Sequence, residues 1–235
     1  MINIRRANSR GQADLGWLKS QHTFSFASYY NPKHMGVSAL RVINEDIVKP
    51  GGGFDTHGHK DMEILSYVIS GTIAHKDSQG NVKTLPAGEF QLMSAGSGIF
   101  HSEYNASTQA PLHFLQIWIK PDSLGGPAGY QQKAFEQSAP MTLVVSPDGA
   151  DGTLKIKQDA RVSRLILASA QTETLSLNKE RLLFIHIIEG ELQLLDAEGE
   201  IANLTAGDAV HITELANVTF RAGAATVVAL VFDLP

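Results

Sequence analysis

The chain has 235 residues, 43% of them hydrophobic, and a formal net charge of −5. That length allows one large all-β domain or two domains of roughly 100 to 150 residues each, and the apolar share gives each half enough to bury a core. The absence of cysteine excludes disulfides, thiolate zinc sites and cysteine nucleophiles, so any metal must be held by nitrogen and oxygen, while the acidic balance, with no basic cluster beyond Arg5 and Arg6, argues against direct nucleic-acid binding.

In chain order, the opening MINIRRANSRGQADLG is basic but has no apolar run behind it, so it does not read as a secretory signal. The longest apolar run, near Val227 to Phe232, is far short of the ~20 residues of a membrane-spanning helix. A cytoplasmic protein without membrane contact is expected, and the N-x-[ST] matches at Asn105, Asn203 and Asn217 carry no weight there. His22, Phe24 and Phe26 read as one strand face packed on the core. Short runs rich in β-branched and aromatic residues follow at strand spacing: EILSYVI (63–69), HFLQIWI (113–119), RLILA (164–168) and VVALVF (227–232). Long 3.6-residue periodicity is lacking, so a sandwich or barrel is predicted, with little helix. SAGSG (94–98) lacks the strand–turn–helix context of a phosphate loop and reads as a turn. The Gly/Pro/Gln-rich segment PDSLGGPAGYQQ (121–132) reads as a linker.

Placing Gly71 over Gly190, an offset of 119 residues, reveals an internal repeat. GTIAHKDSQGNVKTLPAGEFQLM (71–93) faces GELQLLDAEGEIANLTAGDAVHI (190–212) without a gap, and Gly71, Asp77, Gly80, Leu85, Ala87 and Gly88 meet identical residues. Gly80 and Gly199 suit hairpin positions with positive φ, and Gly88 and Gly207 suit a tight turn into the next strand. Two copies of one β-domain are predicted, at residues 1–130 and 131–235.

The first copy carries His57-Gly-His59 and, some forty residues on, His101-Ser-Glu103. Side chains two apart in a strand share a face, so each pair can aim two donors at one point. Three imidazoles and a carboxylate suit a first-row divalent ion such as iron, manganese, nickel, copper, cobalt or zinc. Four such ligands leave one or two positions open for substrate or dioxygen. The repeat acts as a control: the offset places Ser176, Asn178, Phe220 and Ala222 opposite the four donors. All four vanish together, so only the first domain is expected to hold metal. His186 and His211, and likewise His34, His75 and His113, read as structural or exposed.

The motif G-x5-H-x-H-x3-E (Gly51, His57, His59, Glu63) followed by Pro86 and Gly88 resembles the two cupin motifs. HTFSFASYYNP (22–32), THGHKDMEIL (56–65) and PAGEFQLMSAGSGIFHSEYN (86–105) resemble pirin, including its bacterial quercetinase members. The resemblance spans the first domain and, more loosely, the second. It implies an all-β bicupin of two jelly-roll-like barrels, with His57, His59, His101 and Glu103 as ligands of one non-haem Fe(II). Glu63, a ligand in many cupins, is read either as a structural residue or as one that orients an imidazole, since Glu103 fills the carboxylate role. The activity implied is opening of a flavonol ring by O2, with Glu103 as the base that takes the flavonol hydroxyl proton. The alternative that the resemblance carries is a non-enzymatic, iron-dependent redox regulator that binds a protein partner. A monomer acting on a small aromatic substrate is expected.

Overall fold

The computed structural model describes every residue except Ser138. Among the described residues the regular structure is nearly all strand, with two short 3-10 turns at Ala7–Ser9 and Ala150–Gly152 and no helix long and apolar enough to cross a membrane. The strands are β1 (Ile2–Arg5), β2 (Gly11–Asp14), β3 (Leu18–His22), β4 (Leu40–Val48), β5 (Gly53–His59), β6 (Glu63–Ser70), β7 (Thr72–Asp77), β8 (Val82–Pro86), β9 (Glu89–Ser94), β10 (Ile99–Asn105), β11 (Leu112–Ile119) and β12 (Gly129–Ala134). There follow β13 (Met141–Ser146), β14 (Leu154–Lys155), β15 (Arg161–Leu167), β16 (Thr172–Ser176), β17 (Leu182–Glu189), β18 (Glu191–Asp196), β19 (Gly199–Thr205), β20 (Ala209–Ile212), β21 (Asn217–Ala222) and β22 (Val227–Leu234).

The chain divides into two compact units. One comprises Gly11–Phe135 with Leu154–Gln158; the other comprises Met1–Arg10, Glu136–Thr153 and Asp159–Pro235. Beside the expected halves 1–130 and 131–235, this division sends the first ten residues to the second unit. There β1 pairs antiparallel with β20, Ile2 opposite Ile212 and Ile4 opposite Val210. The attachment is reinforced by Asp208, whose carboxylate accepts hydrogen bonds from the Ala7 amide at 2.8 Å and Arg6 Nη1 at 2.7 Å. The segment expected to be a linker also proves partly structural. Its end forms β12, whose Gln131 and Gln132 pair with Leu92 and Gln91 of β9.

Each unit is a pair of facing antiparallel sheets. The first unit sets β12-β9-β6-β11-β4-β3-β2 against β5-β10-β7-β8, and the second sets β1-β20-β17-β22-β15-β13 against β16-β21-β18-β19. The repeat offset is visible strand by strand: β6 and β17, and β7 and β18, begin and end 119 residues apart. Gly80, Gly88, Gly199 and Gly207 all have positive φ, as the turn chemistry required. Gly71 and Gly190 add a second constraint. Besides φ of +86° and +82°, a Cβ would lie 3.0 Å from the Leu112 backbone in one and 2.4 Å from the Thr226 carbonyl in the other.

The cores differ in extent. In the second unit Leu165, Ile185, Leu192, Leu204, Val210, Phe220 and Val231 belong to one continuous buried cluster. In the first unit a smaller cluster around Leu18, Val48, Val68, Ile73, Leu85, Leu112 and Phe114 closes only part of the interior, and a separate one gathers Ile64, Met93, Ala95 and Ile99. Other parts of that interior are polar.

Candidate metal centre

Strand β10 alternates cleanly, with Ile99, His101, Glu103 and Asn105 all buried and the residues between them more exposed. Its neighbour β5 does not follow a plain alternation. His101 pairs with His57, but Glu103 pairs with Phe54, so three residues of β5 match two of β10. This β-bulge lets Phe54 and His57 both face inward, although an odd spacing would otherwise send them to opposite faces. Phe54 packs edge-on against Trp17 with ring centroids 5.1 Å apart. The bulge also supplies a hydrogen bond, from His57 Nδ1 to the Asp55 carbonyl at 2.7 Å. A carbonyl only accepts, so the proton sits on Nδ1 and the lone pair of His57 is on Nε2.

The structure brings His57, His59 and His101 together, one nitrogen of each within 4.8 Å of the others. Nε2 of His57 and Nε2 of His101 are 3.1 Å apart. Glu103 joins through His101: with His75 those two form a second trio inside the same limit. His101 is therefore the member common to both groups. Nε2 of His59 and Oε1 of Glu103 are buried without a hydrogen-bond partner. Such atoms are costly in a protein interior, and a bound cation would give them one. The donor set thus fits a divalent metal by its own chemistry.

Electrostatics agree. Burial, and then the neighbouring His57, lowers His59 to about 4; burial with the charges of His57 and His59 lowers His101 to about 3. Both rings are neutral at physiological pH, the form that donates to a metal. Burial, followed by the charge of Asp46, raises Glu103 to about 7. Gln116 Nε2 donates to Glu103 Oε2 at 3.3 Å, and Ser66 and Gln91 also work to hold the carboxyl down. Asp46 on β4 is likewise raised to about 7 by burial.

The comparisons with known proteins are consistent along the whole chain. The pirin family model matches residues 3–119, and the quercetinase C-terminal cupin domain matches residues 143–234. Quercetin 2,3-dioxygenase of Escherichia coli O157:H7 is 46% identical over 235 residues, which cover 100% of this chain and 99% of that protein. The chain belongs to the pirin family. Its two units are accordingly the two cupin domains of a bicupin. The crystal structure of the pirin YhhW from Escherichia coli matches with TM-score 0.95 and 46% identity, covering 100% of this chain and 98% of that one. A structure of YhhW in complex with nickel(II) matches with TM-score 0.94 and 45% identity, covering 100% and 99%.

Several residues of this pirin's site lay outside the sequence pattern. His75, expected to be structural or exposed, is only 1% exposed and pairs with Glu103 across β7 and β10. Its Nε2 is 3.0 Å from Asp77 Oδ2, and Asp77 is in turn held by the amides of Gln79 and Asn81. Trp118 on β11 meets His59 edge-on at 5.0 Å, and Phe26 meets Trp118 at 5.4 Å. Phe26 thus lies outside the expected strand, although its ring still meets His22 at 5.4 Å. Strand β3 stops at His22, and a tight turn with Ala27 at φ 48° bonds Phe26 to Tyr29. Of the two roles expected of Glu63, its hydrogen bonds fit the structural one. The residue is buried, and its oxygen accepts from Ser94 Oγ at 2.8 Å and from the Lys157 amide at 3.3 Å.

Proposed function

We propose that His57, His59, His101 and Glu103 hold one divalent transition-metal ion in the domain of residues 1–130, and that the domain of residues 131–235 holds none. The observation that supports this most is the convergence of three imidazoles, with the buried, unpartnered Glu103 oxygen beside one of them, His101. Iron and nickel are the leading candidates, iron from the family resemblance and nickel from the complex of the 45% identical relative.

The reaction is oxidative opening of a flavonol-like ring by O2. Full-length identity to curated quercetin 2,3-dioxygenases places the chain among the dioxygenases, a class of oxidoreductase. When bound, the metal supplies Lewis acidity toward a hydroxyl of the substrate. The remaining work belongs to the side chains. Glu103, raised to about 7 by burial, is the base that accepts the flavonol hydroxyl proton, on the oxygen it does not give to the metal. Gln116 donates to Oε2 and so fixes the plane of the carboxylate. Trp118 and Phe26, at the His59 side of the cluster, offer aromatic surface to a flat substrate. This reading describes a monomeric, cytoplasmic protein whose partners are small molecules rather than nucleic acid or membrane.

Elemental analysis of freshly purified protein, followed by oxygen uptake with quercetin before and after chelation, tests the proposal. One metal per chain and chelator-sensitive uptake support it; metal-bound protein that consumes no oxygen with any flavonol supports the redox-regulator reading instead.

A further inference from the structure

The second unit has a cavity of about 170 Å³ that the metal chemistry does not involve. Its walls include the aliphatic side chains of Leu175, Leu177, Leu183, Ile212 and Val231. Ser176 and Asn178 also line it, and the repeat offset places these two over His57 and His59. Leu183 and Ile212 pair across β17 and β20, as their counterparts Ile64 and Met93 do across β6 and β9. The cavity therefore occupies the end of the second barrel that corresponds to the donor cluster in the first.

Protein interiors close most voids larger than a water molecule. This one is braced at its rim. Arg181 Nε contacts Asp233 Oδ1 at 2.6 Å and Nη1 contacts Asp159 Oδ2 at 2.7 Å, while Nη2 bonds the carbonyls of Asp159 at 2.9 Å and Asp233 at 3.2 Å. Arg161 lies 3.8 Å from Asp159 and 4.0 Å from Asp233. Two cations thus meet two anions, and Glu214 adds a further negative charge to the lining. Four of the five N–H groups of Arg181 are thus engaged, and the aliphatic walls disfavour a bare ion of either sign. Hydroxyls of Ser163, Ser176 and Thr213 and the side-chain amide of Asn178 are the uncharged polar groups of the lining that can orient a ligand. In size the space compares with an aliphatic cavity of about 150 Å³ that takes up benzene.

We propose that this cavity is a second small-molecule site, one that binds an uncharged single-ring compound bearing one hydroxyl or carbonyl group. It requires no metal and is independent of the reaction assigned to the first barrel.

Methyl-resolved NMR of the full chain, titrated with benzyl alcohol and in parallel with benzoate, tests it. Saturable shifts at the methyls of Leu183, Ile212 and Val231 with benzyl alcohol, and none with benzoate, are expected. Ser163→Leu, which fills the space, abolishes the response; should that variant not fold, Ser176→Phe at the strand end serves the same purpose. Lack of saturation up to the solubility limit, an equal response to benzoate, shifts confined to the first unit, or an undiminished response in a folded, filled variant would each overturn the proposal.

Discussion

The two barrels use one architecture for opposite interiors, and a single transverse row of each large sheet shows it. In the first unit Gln91, Ser66, Gln116, Asn44 and His22 are successive partners across β9, β6, β11, β4 and β3. All five are buried, at 0 to 5% exposure. In the second unit the matching row runs Val210, Ile185, Val231 and Ser163 across β20, β17, β22 and β15. The small sheets diverge too. His101 and Glu103 face a bulged β5, whereas Phe220 and Ala222 stand in their place on β21, which pairs with β16 in unbroken register, Phe220 opposite Glu173. A polar row gives up apolar burial worth about 25 cal/mol per Å². What it provides is a set of donors and acceptors around Glu103. The second barrel keeps the burial, with Ser176, Asn178, Phe220 and Ala222 at the positions of the four donors.

The largest expected effect falls on the donors. His57→Ala or His101→Ala should bring metal content from one per chain to near zero while the far-ultraviolet circular dichroism stays that of a β protein; wild-type metal content in either variant breaks the assignment. Next, Glu103→Gln, which keeps shape but removes the base, should slow flavonol turnover by roughly 10²- to 10⁴-fold. Stopped-flow rates per metal-loaded site separate that loss from weaker metal binding. Third, Phe220→Ala should destabilise the second barrel by about 3 to 5 kcal/mol. The offset-matched His101→Ala should cost clearly less in metal-free protein, because His101 leaves a polar gap rather than a hole in a dry core. Urea denaturation of both variants decides, and equal losses would erase the contrast.

The smallest effect concerns the N-terminal strand. Burial works to raise Asp208, but the amides of Ala7 and Thr205 and the Arg6 guanidinium outweigh it and hold the carboxyl below its ordinary range. A depressed folded pKa gives stability that is complete above the unfolded value of about 3.9 and is lost as pH falls through the folded value. Asp208→Asn should therefore destabilise by about 1 to 3 kcal/mol at neutral pH. The difference from wild type should shrink on acidification, which thermal melts between pH 7 and pH 3 can follow.

What the sequence disclosed follows the same division. The H-x-H and H-x-E pairs were legible because their spacing alone puts both donors on one strand face, and the repeat was legible because its turns need glycine. His75, Trp118, Gln91 and Gln116 were hidden, since each reaches the site through strand register, and no local pattern reports which strands become neighbours. Phe26 was misplaced for a related reason: the turn at Ala27 uses a left-handed backbone at a residue that gives no turn signal. The capture of β1 by β20 was invisible too, because it joins segments about 200 residues apart.

In the proposed assignment one ion sits among three imidazoles and a carboxylate in the first barrel alone. X-ray absorption fine structure on protein loaded with one equivalent of Fe(II) or Ni(II) tests it most directly. Nitrogen and oxygen neighbours at roughly 2.0 to 2.2 Å are expected, with the outer-shell scattering of three histidine rings. A spectrum without imidazole scattering, or one unchanged in His57→Ala and His101→Ala, would contradict it.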